Sequence, residues 1–156
     1  MHSNVDADVL VIGGGPSGST ISTLLAQRGH RVKVFERAKF PRDHVGESLL
    51  PYCYGIFDEL GVLEQMKDQA VRKPGVRFVD VDGRHDTTWC FGHVIKDESA
   101  LSFHVRRDRF DDMLLRNSEA HGVEVMEETR VTAVDLDGPD GIVTVKKRFV
   151  DLGPED

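Results

Sequence analysis

The chain has few of the features that would assign it to a disulfide, metal, nucleic-acid or membrane class. Its 156 residues include only two cysteines, Cys53 and Cys90. They are far apart and neither sits in a C-x-x-C pattern, so no disulfide framework or zinc site is indicated and each reads as a core-packing residue. The seven histidines show no H-x-x-x-H or H-E-x-x-H spacing, so no metal is expected. Positive charge is also scarce. Lys and Arg total 20 against 27 Asp and Glu, a formal net charge of -7. The run Lys146-Lys147-Arg148 is too short for a basic stripe and reads as a solvated strand end. Nucleic acid and anionic membrane surfaces are therefore not expected partners. No apolar run nears the ~20 residues of a membrane span. Met1 to Ala7 is polar and acidic, unlike a secretory leader. Together these absences predict a cytoplasmic chain with reduced thiols.

What is present is a composition of 39% hydrophobic and 30% charged residues, ordinary for a globular domain, at a length that suits one domain. Its most informative stretch is Val9-Leu10-Val11-Ile12-Gly13-Gly14-Gly15-Pro16-Ser17-Gly18. An apolar run ends in G-x-G-x-x-G, a helical pattern follows, and Glu36 closes the next apolar run. Gly13 permits a sharp turn off the strand. Gly15 lets backbone N–H groups approach a pyrophosphate, and Gly18 lets the helix lie close to the sheet. The helix N-terminus then offers unpaired donors and the positive end of its dipole to the phosphates. A carboxylate at Glu36 suits ribose hydroxyls. This order of strand, glycine turn, helix, strand and acid predicts dinucleotide binding.

The pattern places strands at 8–12 and 32–35 around a helix at 17–29, in which Ile21, Leu24, Leu25 and Arg28 recur on successive turns and Gly29 acts as the stop. Leu49, Leu50, Cys53, Ile56, Phe57 and Leu60 recur at helical spacing, predicting a helix over 48–60, with a shorter one over 62–69. A hairpin is expected at 76–81 and 86–91 with Asp82-Gly83 in its turn, where Trp89 would serve packing. Residues 101–105 read as extended and 108–121 as helix, with Phe110, Met113, Leu114 and Asn117 on one face. Val123 to Met126 form a third parallel-type strand. Val131–Leu136 and Ile142–Val145, joined by Asp137-Gly138-Pro139-Asp140-Gly141, form an antiparallel ribbon. The result is an α/β, Rossmann-like parallel sheet with an inserted antiparallel ribbon, read as one domain over 1–156. The chain stops soon after the ribbon, with the polar tail Asp151 to Asp156, so the domain is expected to be incomplete and its sheet thinly covered.

The glycine turn with Pro16 and Ser17, Phe35-Glu36-Arg37, and the run Phe40-Pro41-Arg42-Asp43-His44-Val45-Gly46-Glu47-Ser48-Leu49-Leu50-Pro51 resemble the flavin-dependent halogenases. This group lies within the wider p-hydroxybenzoate-hydroxylase-like FAD enzymes. His104-Val105-Arg106-Arg107-Asp108-Arg109-Phe110-Asp111-Asp112-Met113-Leu114-Leu115 is similar to the family's V-x-R-x-x-F-D-x-x-L segment. The likeness runs from about residue 6 to 148. It implies a fold of the GR2 type and FAD rather than NAD on Gly13, Gly15, Pro16, Ser17 and Gly18. It further implies Glu36 and Arg37 at the adenosine ribose, Arg107 near the phosphate or ribityl chain, and Val131 beside the adenine. Gly46, Glu47 and Ser48 would line the isoalloxazine side at the start of a helix, with Arg42 adding positive charge nearby. His44 and His104 are supporting acid/base candidates. On the residues alone, Ser48 reads equally well as a helix N-cap. For Arg107 the alternative is simple pairing with Asp111 one turn on.

Lys73, in Val71-Arg72-Lys73-Pro74-Gly75-Val76, matches the family's x-K-x-G context and is implied to be catalytic, guiding hypohalous acid to an electron-rich ring. By itself it reads as a surface lysine. The resemblance also implies FADH2 from a separate flavin reductase, O2, chloride or bromide, and a small aromatic substrate, free or bound to a carrier protein. The family's Trp-x-Trp-x-Ile-Pro segment and its Asp-Gly flavin motif do not occur in these residues. A geranylgeranyl-reductase-like or hydroxylase-like enzyme, or a silent FAD-binding fragment, therefore stand as alternatives.

Overall fold

The computed structural model describes residues 6–137 and 141–147. The expected leader-free start, the tip of the ribbon turn at 138–140, Arg148 and the polar tail lie outside them. The elements in order are β1 (Val9–Ile12), α1 (Pro16–Gln27), β2 (Val32–Phe35), α2 (Tyr54–Glu59), α3 (Leu63–Gln69), β3 (Val71–Lys73), β4 (Gly75–Val79), β5 (Asp86–Cys90), β6 (Ser102–His104), α4 (Arg107–Ala120), β7 (Glu124–Met126), β8 (Thr129–Asp135) and β9 (Ile142–Lys147). No helix among the described residues is long and apolar enough to cross a membrane. The chain divides into two compact units, 1–42 with 111–156, and 43–110.

In the first unit β1, β2 and β7 form a parallel sheet in that order. Val34 pairs with Val11 on one side and Val125 on the other. The third strand lies beside the second, as in the 3-2-1 half of a doubly wound sheet. Val32, Val34, Phe40, Leu115 and Val123 form the buried core, with Val9, Val11, Leu25, Ala26 and Val125 packed on it. β8 and β9 make the expected antiparallel ribbon, with a register irregularity between Val131 and Ala133.

The helix α1 corrects the pattern read from its large residues. Ile21 is 46% exposed, whereas Ser19, Ser22 and Thr23 are buried. Short hydroxyl side chains let the helix axis approach the sheet. Ser19 and Thr23 satisfy their hydroxyls on the carbonyls of Gly14 (2.9 Å) and Ser19 (2.8 Å). The approach is set at Gly18, where an added Cβ would lie 1.9 Å from the Gly13 carbonyl oxygen. The helix ends in a Schellman-type pair, His30 N–H to Leu25 O and Gly29 N–H to Ala26 O. From α4, Arg116 pairs with Asp112, Glu119 and Glu127. Partial burial works against its charge, but the hydrogen bonds to Glu127, Asp112 and Glu119 outweigh that and raise its pKa. Glu127 in turn accepts from the Phe40 N–H at 2.6 Å, tying the segment after β2 to the helix.

In the second unit Phe57 meets Phe103 and Phe110 edge-on, at centroid distances of 6.4 and 5.8 Å. β3 pairs antiparallel with β6, Lys73 opposite Ser102. β4 and β5 form the expected hairpin. Trp89 does not pack as expected: it lies opposite Val76 and is 58% exposed. The helix expected over 48–60 forms only in its later part. A 3-10 turn at Pro51–Cys53 leads into α2, and Ser48 is extended and bridged to His104. Leu50 and Pro51 explain the difference: Leu50 is extended ahead of Pro51, as expected for a residue preceding proline. Cys53 and Cys90 are half-buried free thiols, less enclosed than core packing implied.

Two outcomes test this account. Leu115→Ala should lower unfolding stability by about 2–5 kcal/mol, read as a fall in the urea midpoint at unchanged slope. Asp8 takes hydrogen bonds from the Arg31 side chain and backbone, which hold its carboxyl down at about 2. A depressed carboxyl stabilises the fold above its unfolded value and loses that contribution as pH falls through about 2. A carbon-detected NMR titration should place the Asp8 midpoint near 2, and Arg31→Ala should raise it.

Candidate functional site

The glycine turn of the first unit joins the end of β1 to the start of α1. Gly13 has φ +100, a left-handed conformation that favours glycine, and its N–H donates to Phe35 O at 2.8 Å. Glu36, directly after β2, is buried. Its Oε2 accepts from Gly14 N–H at 2.7 Å and its Oε1 from Ala38 N–H at 2.8 Å. The acid therefore braces the turn from beneath. The sequence expectation gave it only a ribose contact. A carboxylate has about four acceptor sites, so two bonds leave capacity for hydroxyl donors.

Helix α1 starts with Gly15 as its cap and Pro16 in its first turn, and no side chain caps its N-terminal N–H groups. Ser17 is exposed in that turn. Pro16 removes a donor the helix does not use and fixes φ. A Cβ on Gly15 would come within 3.4 Å of the Arg42 guanidinium. That guanidinium stacks on the Phe40 ring, 4.7 Å from its centroid, and lies 3.6 Å from the Asp111 carboxylate, which is 0% exposed. The glycine turn and uncapped helix start thus offer main-chain donors and the positive end of the α1 dipole, with the Arg42 guanidinium beside them. Such an arrangement suits a diphosphate. Arg37 is exposed, and Val131 is half-buried on β8.

The second unit holds the other residues singled out from the sequence. Gly46 (φ +96), Glu47 and Ser48 are exposed in an extended segment, not at a helix start. The N-cap reading of Ser48 is thereby removed. Glu47 O accepts from Val105 N–H and Leu49 N–H donates to Phe103 O, so the segment lies along β6. The Arg107 guanidinium donates to Val45 O at 2.5 Å and approaches a would-be Gly46 Cβ to 3.2 Å, shaping this loop. His44 and His104 are exposed.

Lys73 is only 5% exposed, against the surface-lysine reading. Its ammonium donates to Ser48 Oγ at 2.7 Å and to Leu49 O at 2.9 Å, and lies 5.3 Å from the Phe91 ring centroid. Among the described residues no carboxylate pairs with it. Ser102, opposite Lys73 on β6, is 1% exposed and its hydroxyl has no hydrogen-bond partner among them. Sequence reasoning missed Asp111 as a buried partner of Arg42, together with Phe91 and Ser102. Asp111 is the acid of the V-x-R-x-x-F-D-x-x-L segment, but its pairing with Arg42, like the placement of Phe91 and Ser102, is revealed only by tertiary proximity.

A parallel sheet, a glycine turn at a helix N-terminus and a braced acid define a Rossmann-like dinucleotide-binding fold. The chain belongs to the FAD-binding domain family, whose model matches residues 6–151. It is 42% identical over 131 residues to a tryptophan 2-halogenase of Chondromyces crocatus, covering 83% of this chain and 24% of that protein. It is 31% identical to a 1H-pyrrole-2-carbonyl-[peptidyl-carrier protein] chlorinase of Pseudomonas fluorescens, covering 96% of this chain and 38% of that one. Among solved structures, the myxobacterial chondrochloren halogenase, an FAD-dependent halogenase, matches with a TM-score of 0.83 and 41% identity over 90% of this chain and 33% of its own. The chain thus spans well under half the length of these relatives.

If the turn receives the diphosphate, Gly15→Val fills the space and isothermal titration should show FAD affinity reduced beyond detection in a protein whose circular dichroism is unchanged. Unchanged affinity would remove the assignment.

Proposed function

We propose that the chain is the N-terminal, FAD-binding part of a flavin-dependent halogenase acting on an electron-rich aromatic substrate, free or carrier-bound, with FADH2 delivered by a separate reductase. The observation that carries the reading is that Lys73 is buried with no carboxylate partner among the described residues. A buried charge without a counter-charge is expensive and is tolerated where function needs it. The names of the relatives supply the reaction class, and the carrier-bound pyrrole chlorinase among them supports the carrier-bound option.

In this reading the N–H groups of Gly15 and Ser17, at the uncapped start of α1, hold the diphosphate, with Gly13, Pro16 and Gly18 shaping the turn and Arg42 neutralising the charge. Glu36 accepts from the ribose with its remaining lone pairs, with Arg37 beside it, and Val131 borders the adenine. Gly46, Glu47 and Arg107 form the flavin-side loop. When bound, FADH2 would supply two electrons and two protons, with which O2, chloride or bromide and one further proton become water and hypohalous acid. The Lys73 ammonium donates to the oxygen of that acid and keeps it from diffusing. The halogen passes to the ring carbon as its bond to oxygen breaks. The oxygen leaves as water with the ammonium's proton, and the ring carbon's proton restores the charge on the amine. A compact ammonium with three rotatable donors suits this role better than a planar guanidinium.

The test is Lys73→Ala in the complete enzyme, with halogenated product and hydrogen peroxide measured side by side. Halogenation should fall at least a hundredfold, while FAD binding and peroxide formation from FADH2 and O2 persist. Lys73→Arg should not restore it. Full halogenation by Lys73→Ala would take the halogen-delivering role from Lys73, whereas no halogenation by the unaltered enzyme would favour a reductase or hydroxylase of the same fold.

A further inference from the structure

We infer that Ser48 is the positioning residue for the Lys73 ammonium, not a flavin contact or a helix cap. The inference rests on the halogen-delivering reading of Lys73. Position 73 lies on β3 and its ammonium ends on Ser48 and Leu49, in the segment on the far side of β6. The lysine stem therefore crosses β6 at its cross-strand partner, Ser102, whose short side chain leaves the row open. Directly opposed residues share a face of the ladder, so a large residue at 102 would stand in this path.

A tetrahedral ammonium has three donors. Ser48 Oγ and Leu49 O take two of them, which fixes the direction of the third. Leu49 contributes a main-chain carbonyl, already held in place by the Leu49 N–H bond to Phe103 O. Ser48 is the only side chain supplying oxygen to Lys73 among the described residues, and it is exposed while Lys73 is buried. Loss of the serine hydroxyl leaves the ammonium held by the Leu49 carbonyl alone and free to turn.

The experiment compares Ser48→Ala, Ser48→Thr, Lys73→Ala and the double variant in the complete enzyme. It reads halogenated product, peroxide, hypohalous acid captured by a soluble 1,3-diketone trap, and FAD affinity by titration. Ser48→Ala should reduce product per peroxide on the order of tenfold, the worth of one charged hydrogen bond, and raise the trapped acid, at unchanged FAD affinity. Ser48→Thr keeps the hydroxyl in an extended segment that suits a β-branched residue, and should recover most of the product. The double variant should be no worse than Lys73→Ala. Wild-type product ratios in Ser48→Ala would overturn the inference and leave the role of Lys73 standing. A fall in FAD affinity with no change in product ratio would return Ser48 to the flavin site. Normal halogenation by Lys73→Ala would remove the reading beneath both.

Discussion

The bond from Gly14 N–H to the buried Glu36 carboxylate is the constraint on which the first unit depends. It joins the glycine turn after β1 to the end of β2, 22 residues later. The second carboxylate oxygen takes the Ala38 N–H, and the Glu36 backbone bonds to Met126 O and Thr129 N–H. One residue therefore fixes the turn, the end of β2, and the passage from β7 into β8. A carboxylate accepting two backbone N–H groups in a buried setting is strongly held. Removing it would leave two main-chain donors unpartnered, at about 1–3 kcal/mol each. The turn keeps its shape without a ligand because an acid, not the ligand, satisfies its inward-facing N–H.

The positive groups of the two units are built on opposite plans. Arg42 is stacked on Phe40 and lies beside the fully buried Asp111. A guanidinium held by a ring and a fixed anion is pre-oriented, which lowers the entropy lost when it meets a phosphate. Among the described residues Lys73 has neutral partners only: a hydroxyl, a carbonyl and an aromatic face. Neutral acceptors orient an ammonium without cancelling its charge, so its field stays available to an incoming electronegative atom.

The first unit was legible in the sequence because its signals are local. The glycine turn, Gly29, the run of 32–35 and the parallel strand near 123–126 each depend on neighbours within a few residues, and each forms where expected. The face of α1 was misread because hydrophobicity favoured Ile21 and Leu24, while the close approach enforced at Gly18 selects for small residues such as Ser22. The second unit was less legible. Apolar residues at 49, 50, 53, 56, 57 and 60 fit a helical period, yet Pro51 and the pairing of the 47–49 segment with β6 override it. Pairing between segments more than fifty residues apart leaves no periodic trace in either.

The same nonlocality explains why Lys73 could be singled out but not explained from its sequence neighbours. Val71, Arg72 and Pro74 say nothing about burial, and two of the three residues of β3 are exposed. What buries the lysine is the strand opposite, where Ser102 replaces the bulk a sheet core normally carries, and the extended segment beyond it, where Ser48 and Leu49 accept. The run from Gly46 to Leu50 is thus constrained twice. Its main chain must be extended to pair with β6, and its side chain at 48 must be small and polar to receive an ammonium. Gly46 turns the chain into that path and Pro51 ends it. The motif is specific because these demands fall on consecutive residues, although the partners that impose them, Lys73 and β6, lie 25 and more than fifty positions away.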